Sequence, residues 1–379
     1  MGARGGTSRI RADKRSRVGR NRVTLADVAR TAGVSPTTAS LVLSGRGDEL
    51  RISRTVQHRV RDAAADLSYR PNIVSIGLRK GKTRTLGLVS DTVATSQLAG
   101  DMIKGAIEAA RDHGFMLFIG ETEGDPEIEA ALLEAMHDRQ VDGIILTSMF
   151  TRTRDVPALL DRVPTVLLNT LATSATVAPA VVPDEMEAGR AAARLLIETG
   201  HREIHLIGAG PAPDDVPPGT VAGVERLAGI REVLAGAGLE PASGHLLEEW
   251  LPPLGWRATH HLLEKHPRPG AIICFNDRLA FGAYQALQEA GLAIPADVSV
   301  VSFDDYPMAE WLRPGLSSFA IPHEQLGRRA VELLIDTVEN GVGVEPGQVH
   351  RYPLPLHSRE SVAPPTSGLR PRPATISGV

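Results

Sequence analysis

Three sets of residues have types and spacings that could support chemistry, and each stops short of it. IHLIGAGPAPDD places Gly208 and Gly210 behind an apolar run, as a dinucleotide-binding turn would. The third position of that pattern holds Pro213, and Pro- and Asp-rich residues follow where a helix N-terminus should face a pyrophosphate. THHLLEKH gathers His261, Glu264 and His266, but in neither the H-E-x-x-H nor the H-x-x-E-H order, so it reads as a solvated helix face rather than a metal site. Cys274 sits inside AIICF and reads as a small buried hydrophobe. As the only cysteine it excludes a disulfide framework and a multi-cysteine metal site. There is neither a G-x-S-x-G nor a P-loop. The expectation is no catalytic residue, no metal, no cofactor and no enzyme.

The elements tell more. In VTLADVARTAGVSPTTASLVLSG, Thr24 and Asp27 have capping-box spacing, and Leu25, Val28, Ala29 and Ala32 recur on one helical face. Gly33 can close that helix in the left-handed conformation, and Ser35-Pro36 opens a second three residues later. On the second helix Ala39, Val42 and Leu43 can face the first, leaving Pro36, Thr37, Ser40 and Leu41 outside. A third helix, capped by Ser53, carries Val56, Val60, Ala64 and Leu67 on one stripe. Two helices around a tight glycine turn, buttressed by a third, make a helix-turn-helix, whose second helix enters the major groove of DNA. The second helix offers no bidentate Arg for guanine or Gln for adenine; a threonine hydroxyl can meet several bases, and Leu41 can rest on a thymine methyl.

Charge divides the chain in the same place. Residues 1 to 82 carry 18 Lys+Arg against 6 Asp+Glu, whereas the remainder carries 23 against 39. The basic part suits a polyanion; the acidic part argues against the whole molecule coating nucleic acid or an anionic membrane. At 379 residues, two or three domains are expected. No apolar run nears the roughly 18 residues that span a bilayer, and the basic N-terminus lacks the apolar stretch of a signal peptide. A cytoplasmic, nucleoid-associated location is expected.

VTLADVARTAGVSPTTASLVLSG, then ISRTVQHRVRDAAADLSYRPN, then IVSIGLRKGKTRTLGLV, resembles the DNA-binding head and hinge of the lactose/galactose-repressor (LacI/GalR) family of bacterial transcription regulators. The resemblance is nearly continuous from Val23 to Val89 and reaches, more loosely, about residue 358. It implies that Pro36, Thr37 and Leu41 reach base edges, that Ser35, Thr38 and Ser40 touch phosphates, and that Thr24 lies at the DNA-binding surface. It also implies a hinge helix with Pro71, Asn72, Ser75 and Leu78, in which Leu78 wedges open a minor-groove step. Ser75 and Gly77 depart from the commoner pattern, and glycine costs roughly 1 kcal/mol in a helix relative to alanine.

From Thr85 short apolar runs alternate with helical stretches: TLGLVS, FMLFIG, GIILTS and TVLLN, then EIHLIGA, HLLEEW, AIICFN and SVVSFDD. The pattern predicts parallel βαβ units in doubly wound sheets, eight strands in two halves of four with a break at VVPDEMEAGR, and ligand groups at the carboxyl ends of strands. The resemblance implies a two-lobed α/β body of the type I periplasmic-binding-protein fold behind the all-α helix-turn-helix head, with Asp91, Asn169, Arg226, Trp250 and Asp277 at effector-contact positions. Carboxylates and Arg bond vicinal hydroxyls and an aromatic face covers a sugar ring, so a saccharide fits best, although a nucleobase could stack on Trp250 equally well. Singly, Asp277 could be only a helix N-cap and Arg226 a surface ion pair. The expected division is a basic tail (1 to 22), head (23 to 70), hinge (71 to 84), effector and dimerisation domain (85 to 358) and flexible tail (359 to 379). Residues 85 to 182 with 310 to 325 would form one lobe, and 183 to 309 with 326 to 358 the other. A homodimer on double-stranded operator DNA, a repressor controlled by a small-molecule effector and independent of membranes, is the overall expectation. The C-terminal tail lacks an apolar heptad that would add a tetramer. Rival readings are a sugar-binding transport protein and an α/β enzyme with an accessory head.

Overall fold

The structure, a computed structural model, describes residues 23–70, 82–93, 100–175, 178–341, 345 and 347–365. The basic tail, residues 366–379 of the expected flexible tail, and the hinge contacts Asn72, Ser75 and Leu78 lie outside these residues, whereas residues 359–365 belong to the folded body and not to a flexible tail: Val300 N donates to the Ser361 carbonyl at 2.9 Å, and Ser361 is buried. The chain divides into two compact units, Met1–Thr83 and Arg84–Val379.

In the first unit local sequence chemistry decides the elements. Helix α1 (Leu25–Ala32) starts on the reciprocal cap: Thr24 Oγ1 accepts from the Asp27 amide, and an Asp27 carboxylate oxygen accepts from the Thr24 amide at 2.9 Å. Gly33, at φ 65°, closes it in the left-handed region. Ser35 Oγ accepts from Thr38 N at 3.1 Å and opens α2 (Pro36–Leu43). Helix α3 (Arg54–Asp66) follows its cap at Ser53. Val28, Ala29, Ala39, Val42, Val60, Ala63 and Ala64 form the core, with Leu25, Val34, Leu43, Val56 and Leu67 partly buried around it. Gln57, 3 % exposed, was not on the expected apolar stripe. Its amide nitrogen donates to Asp48 at 2.8 Å and to the Ile52 carbonyl at 2.9 Å, which ties the turn between α2 and α3 to the helix below.

The second unit contains twelve strands in two six-stranded sheets, among the described residues, where eight in halves of four were expected. The first sheet has the order β11 (Val349–Tyr352), β5 (Ala180–Pro183), β4 (Thr165–Ala172), β3 (Gly143–Arg154), β1 (Thr85–Ser90), β2 (Met116–Glu121). The second has the order β12 (Leu356–His357), β10 (Ser317–Ala320), β9 (Ser299–Asp304), β8 (Ala271–Cys274), β6 (Ile204–Gly208), β7 (Ser243–Leu246). All neighbours are parallel except β12 on β10. The additional strands are short edge or near-edge pieces. AVVP, read as a break, is β5, and the strand read in HLLEEW lies earlier, at Ser243–Leu246.

The assignment of chain ends to lobes is also corrected. Residues Ser317–Ala320 pair with β9 in the second sheet, Ser317 opposite Val301, and the return comes only after them. Helix α11 (His323–Asn340) then buries Leu326, Ala330, Val331 and Leu334 in the core of the first lobe, and β11 extends the first sheet. With β12 the chain is back in the second. Three passages therefore join the lobes: Pro183–Glu185, Ala320–His323 and Tyr352–Leu356. Six further helices cover the faces of the sheets: α4 (Gly100–Asp112), α5 (Pro126–Asp138), α6 (Glu185–Glu198), α7 (Val221–Gly236), α8 (Pro252–Lys265) and α9 (Asp277–Glu289); α10 (Pro307–Trp311) is a short turn after β9. Their apolar faces complete clusters with strand residues that are buried on both sides, such as Leu86, Ile145 and Val166, or Leu206, Ile272 and Val300.

Candidate nucleic-acid interface and ligand cleft

On α2 the side chains of Ser35, Pro36 and Thr37 are exposed, Thr38, Ser40 and Leu41 half-buried, and Thr24 exposed at the start of α1. Ala39 and Val42 anchor the opposite face. The exposed edge thus carries the hydroxyls, the proline and the leucine that the sequence singled out. Ser35 Oγ and Thr38 Oγ1 lie 2.9 Å apart, so the two hydroxyls are held as a pair at the helix N-terminus, where backbone N–H groups also point outward. Helix α2 itself contains neither Arg nor Gln.

In the second unit, a cleft of about 1320 Å³ opens between the two sheets and is lined from both lobes. Asn169, Arg226, Trp250 and Asp277 all line it. Asp91 is not among the lining residues: it is 6 % exposed at the end of β1, accepts from the Met149 amide at 2.8 Å, and has a carboxylate oxygen 2.7 Å from Arg152, which does line the cleft. Asp91 therefore acts behind Arg152.

Two of the lining residues are already fully engaged. Arg226, 2 % exposed, is no surface ion pair: it donates to Glu185 at 2.7 and 3.1 Å, to the Phe275 carbonyl at 2.5 Å and to Asp304 at 3.4 Å, and lies over the Phe303 ring at 4.5 Å. Burial works against its charge, and Glu185 and Asp304 more than offset that. Close helix contact makes the pair possible: a Cβ on Gly189 of α6 would lie 2.2 Å from the Arg226 carbonyl oxygen, and one on Gly229 of α7 2.1 Å from that of Met186. Asp277 is not the N-cap; Asn276 is, accepting from Leu279 N at 2.9 Å. Asp277 is buried and accepts from the hydroxyls of Ser302 and Ser318 and from Tyr306 N at 2.6 Å. Burial, followed by the nearby Asp304 charge, pushes its pKa up to about 7 against those hydrogen bonds. Asp304 is pushed up to about 6, again by burial first, with Arg226 opposing. Both residues brace the cleft floor.

What the floor leaves open are groups the sequence reading mostly missed. The Oδ1 of Asn169, Nε of Arg278 and Nδ1 of His323 are buried, line the cleft and make no hydrogen bond. Burial lowers the His323 pKa to about 4, so that imidazole is neutral at pH 7. Asn169 itself sits in the left-handed region, φ 50°, at the end of the buried part of β4, and Asp304 and Asp305 adopt φ 100° and 50° at the end of β9. Asp305 is held there by Arg359 at 2.6 Å and by His357. The Asp pair closing the apolar run SVVSFDD, at the carboxyl end of a strand, was the signal available for this part. Trp250 forms one wall; its indole donates to the Gly208 carbonyl at 3.1 Å and its ring meets Phe275 edge-on at 5.6 Å. Carboxylates outnumber cations in the lining: Asp101, Glu185, Glu248, Glu249, Asp277, Asp304, Asp305 and Glu324 stand against Arg152, Arg226 and Arg278.

The same two parts are recognised in comparisons with known proteins. Residues 24–72 match the model for "Bacterial regulatory proteins, lacI family", and residues 83–358 that for "Periplasmic binding proteins and sugar binding domain of LacI family". The chain is 30 % identical over 322 residues to the HTH-type transcriptional repressor PurR of Klebsiella pneumoniae (strain 342), covering 84 % of this chain and 91 % of that protein. It is 29 % identical over 318 residues to the ribose operon repressor of Escherichia coli (strain K12), covering 83 % and 93 %. Among solved structures, the transcriptional regulator CelR in complex with cellobiose is 30 % identical with a TM-score of 0.61, covering 90 % of this chain and all of that one. The lac repressor dimer bound to operator and the anti-inducer ONPF, at 24 % identity and a TM-score of 0.75, covers 90 % and 99 % and shares the fold. The chain belongs to the lacI family of bacterial regulatory proteins: it is a DNA-binding transcriptional regulator with a small-molecule effector domain.

Proposed function

We propose that the protein is a dimeric repressor, acting in the cytoplasm and without catalytic turnover, whose operator affinity is set by a neutral polyhydroxyl molecule, a saccharide, held between the lobes. The observation that carries the effector class is the pairing of the Trp250 wall with three hydrogen-bonding atoms that lack partners, on Asn169, Arg278 and His323, in a lining where carboxylates prevail. A sugar ring offers both an apolar face and rows of hydroxyls that donate and accept, and it brings no charge to repel. An anionic effector would meet net repulsion. Arg226 and Asp277 serve this reading by fixing the floor against which the ligand rests.

On the DNA side, Pro36, Thr37 and Leu41 read base edges while Ser35, Thr38, Ser40 and Thr24 position the helix on phosphates. Asn72, Ser75 and Leu78 add the minor-groove contact. The effector acts to the extent that it prefers one lobe angle; in typical allosteric systems that coupling is about 1 to 3 kcal/mol, a change of roughly 5- to 150-fold in operator affinity. Since β1 begins at Thr85, the connector leaves from the first lobe, and in a dimer a change of lobe angle alters the separation of two such connectors.

The test is operator binding by fluorescence anisotropy, with the gene's own upstream duplex at fixed salt and panels of neutral sugars, sugar phosphates and purines. A shift of at least fivefold with a neutral sugar, in either direction, supports the reading. A response confined to phosphorylated or purine compounds overturns the effector class, and absence of any sequence preference overturns the DNA-binding assignment.

A further inference from the structure

THHLLEKH reads in sequence as a solvated face, and for His261 this holds: its Nδ1 pairs with Glu264 at 3.1 Å on the exposed side of α8. His266 behaves differently. It is the C-cap of α8, with φ −127° and ψ 81°, and leaves the helix to face the sheet. There its Nδ1 lies 3.2 Å from Glu203 Oε1, and the same oxygen lies 3.2 Å from Nε2 of His205 on β6. One ligand atom from each of the three residues falls within 4.8 Å of the other two. The imidazoles stand 4.6 Å apart, centroid to centroid, tilted by 57°. With metal–ligand bonds of about 2.0 to 2.1 Å, neighbouring donors around a tetrahedral zinc are separated by about 3.3 Å. The two measured edges of this triangle are close to that spacing.

The triangle has the other marks of a ligand set. His205 is fully buried, and its far nitrogen, Nδ1, lies 2.8 Å from Ser243 Oγ on the neighbouring strand. Ser243 Oγ can donate to or accept from Nδ1; with an ion on Nε2 it can accept from Nδ1–H, as outer partners of metal-bound histidines do. Glu203 is exposed and His266 half-buried, so both can adjust by small side-chain rotations while His205 stays fixed. Glu203 precedes the N-terminal end of β6, whereas Gly208 at the other end of that strand accepts from Trp250 in the cleft wall. The cluster is thus separate from the effector site.

We propose that Glu203, His205 and His266 form a binding site for a divalent transition-metal ion of the zinc class, with water completing the coordination. Two nitrogens and one carboxylate oxygen suit such an ion and not magnesium, which prefers an all-oxygen octahedron. The ion ties the end of α8 to the start of β6 and so stabilises the second lobe.

The test uses the untagged full chain, stripped with a chelator, desalted and exposed to zinc or magnesium chloride, with bound metal measured after dialysis and melting followed by circular dichroism. One zinc per chain and a rise in Tm with zinc but not magnesium are expected. His266→Ala should abolish both effects and Glu203→Gln should weaken zinc binding at least tenfold; neither side chain is in the core, so both variants fold. His261→Ala, on the same helix, should retain zinc. Absence of stoichiometric zinc in the parent chain overturns the proposal, as does uptake that survives His266→Ala or that is lost instead with His261→Ala.

Discussion

Replacing Arg226 by methionine is the sharpest test of its assignment to the cleft floor. The side chain is 2 % exposed, as is its partner Glu185, so the substitution leaves a carboxylate without its bonded partner and with little access to water. Breaking a buried pair by removing one partner costs about 3 to 5 kcal/mol. A second route to the same magnitude is neutralisation: protonating a carboxyl of ordinary glutamate acidity at pH 7 costs about 3.5 kcal/mol, at 1.36 kcal/mol per pH unit. The Phe275 carbonyl also loses its donor, and the methionine replaces the guanidinium over Phe303 with apolar volume. The expected loss is therefore about 3 to 5 kcal/mol at pH 7, shrinking by roughly 1.4 kcal/mol per unit as the pH is lowered toward 5. Adding Glu185→Gln should restore most of it. All three tryptophans, Trp250, Trp256 and Trp311, lie in or beside the second lobe, so urea unfolding followed by tryptophan fluorescence reports on the affected region. A loss below about 1 kcal/mol, or one that neither falls with pH nor responds to Glu185→Gln, would refute the floor role and return Arg226 to the effector.

Three other outcomes follow from the same geometry. Leu41→Ala should relax base preference at one position of the operator by about 1 to 3 kcal/mol, measured by competition among single-base variants; an equal fall for every sequence would contradict a reading role. Asn169→Ala should weaken the effector response at least tenfold in the anisotropy titration while leaving effector-free operator binding within twofold, because Asn169 lines the cleft and its Oδ1 has no partner within the chain to lose. Asp277 and Asp304 titrate near 7 and 6 in the folded chain, above the ordinary 3.8, so the stability they confer is complete below about pH 4 and is lost as the pH rises through 6 to 7. Asp277→Asn, whose amide can face the two rotatable serine hydroxyls, should flatten the decline in Tm between pH 5 and 7.5, and a profile parallel to that of the parent chain would argue against it.

The head was legible because its determinants are local. A cap, a left-handed glycine and a proline at the first helical position act within a few residues, so Thr24, Gly33 and Ser35-Pro36 announce the helices they bound. Gln57 was not, since its partners Asp48 and Ile52 become neighbours only once the turn has folded back. In the body, the long buried runs were readable, whereas β10, β11 and β12 were not: pieces of two to four residues take their place from the strand they pair with, and Ser317–Ala320 carries serines because Ser318 serves Asp277. Arg226 and Asp277 were found by resemblance alone, but whether an arginine touches a ligand or supports the floor depends on Glu185, 41 residues away, and on Asp304, 78 away. The surroundings of His266 were hidden for the same reason, because Glu203 approaches it from 63 residues earlier.

The three passages between the sheets restrict how this body can move. With one connection, a lobe could swivel freely; with two, it could still twist about the line joining them. A third connection restricts sliding and twisting of one lobe on the other further still. On the function proposed above, a molecule wedged against Trp250 would press on both lobes at once instead of being absorbed as slack in one loop.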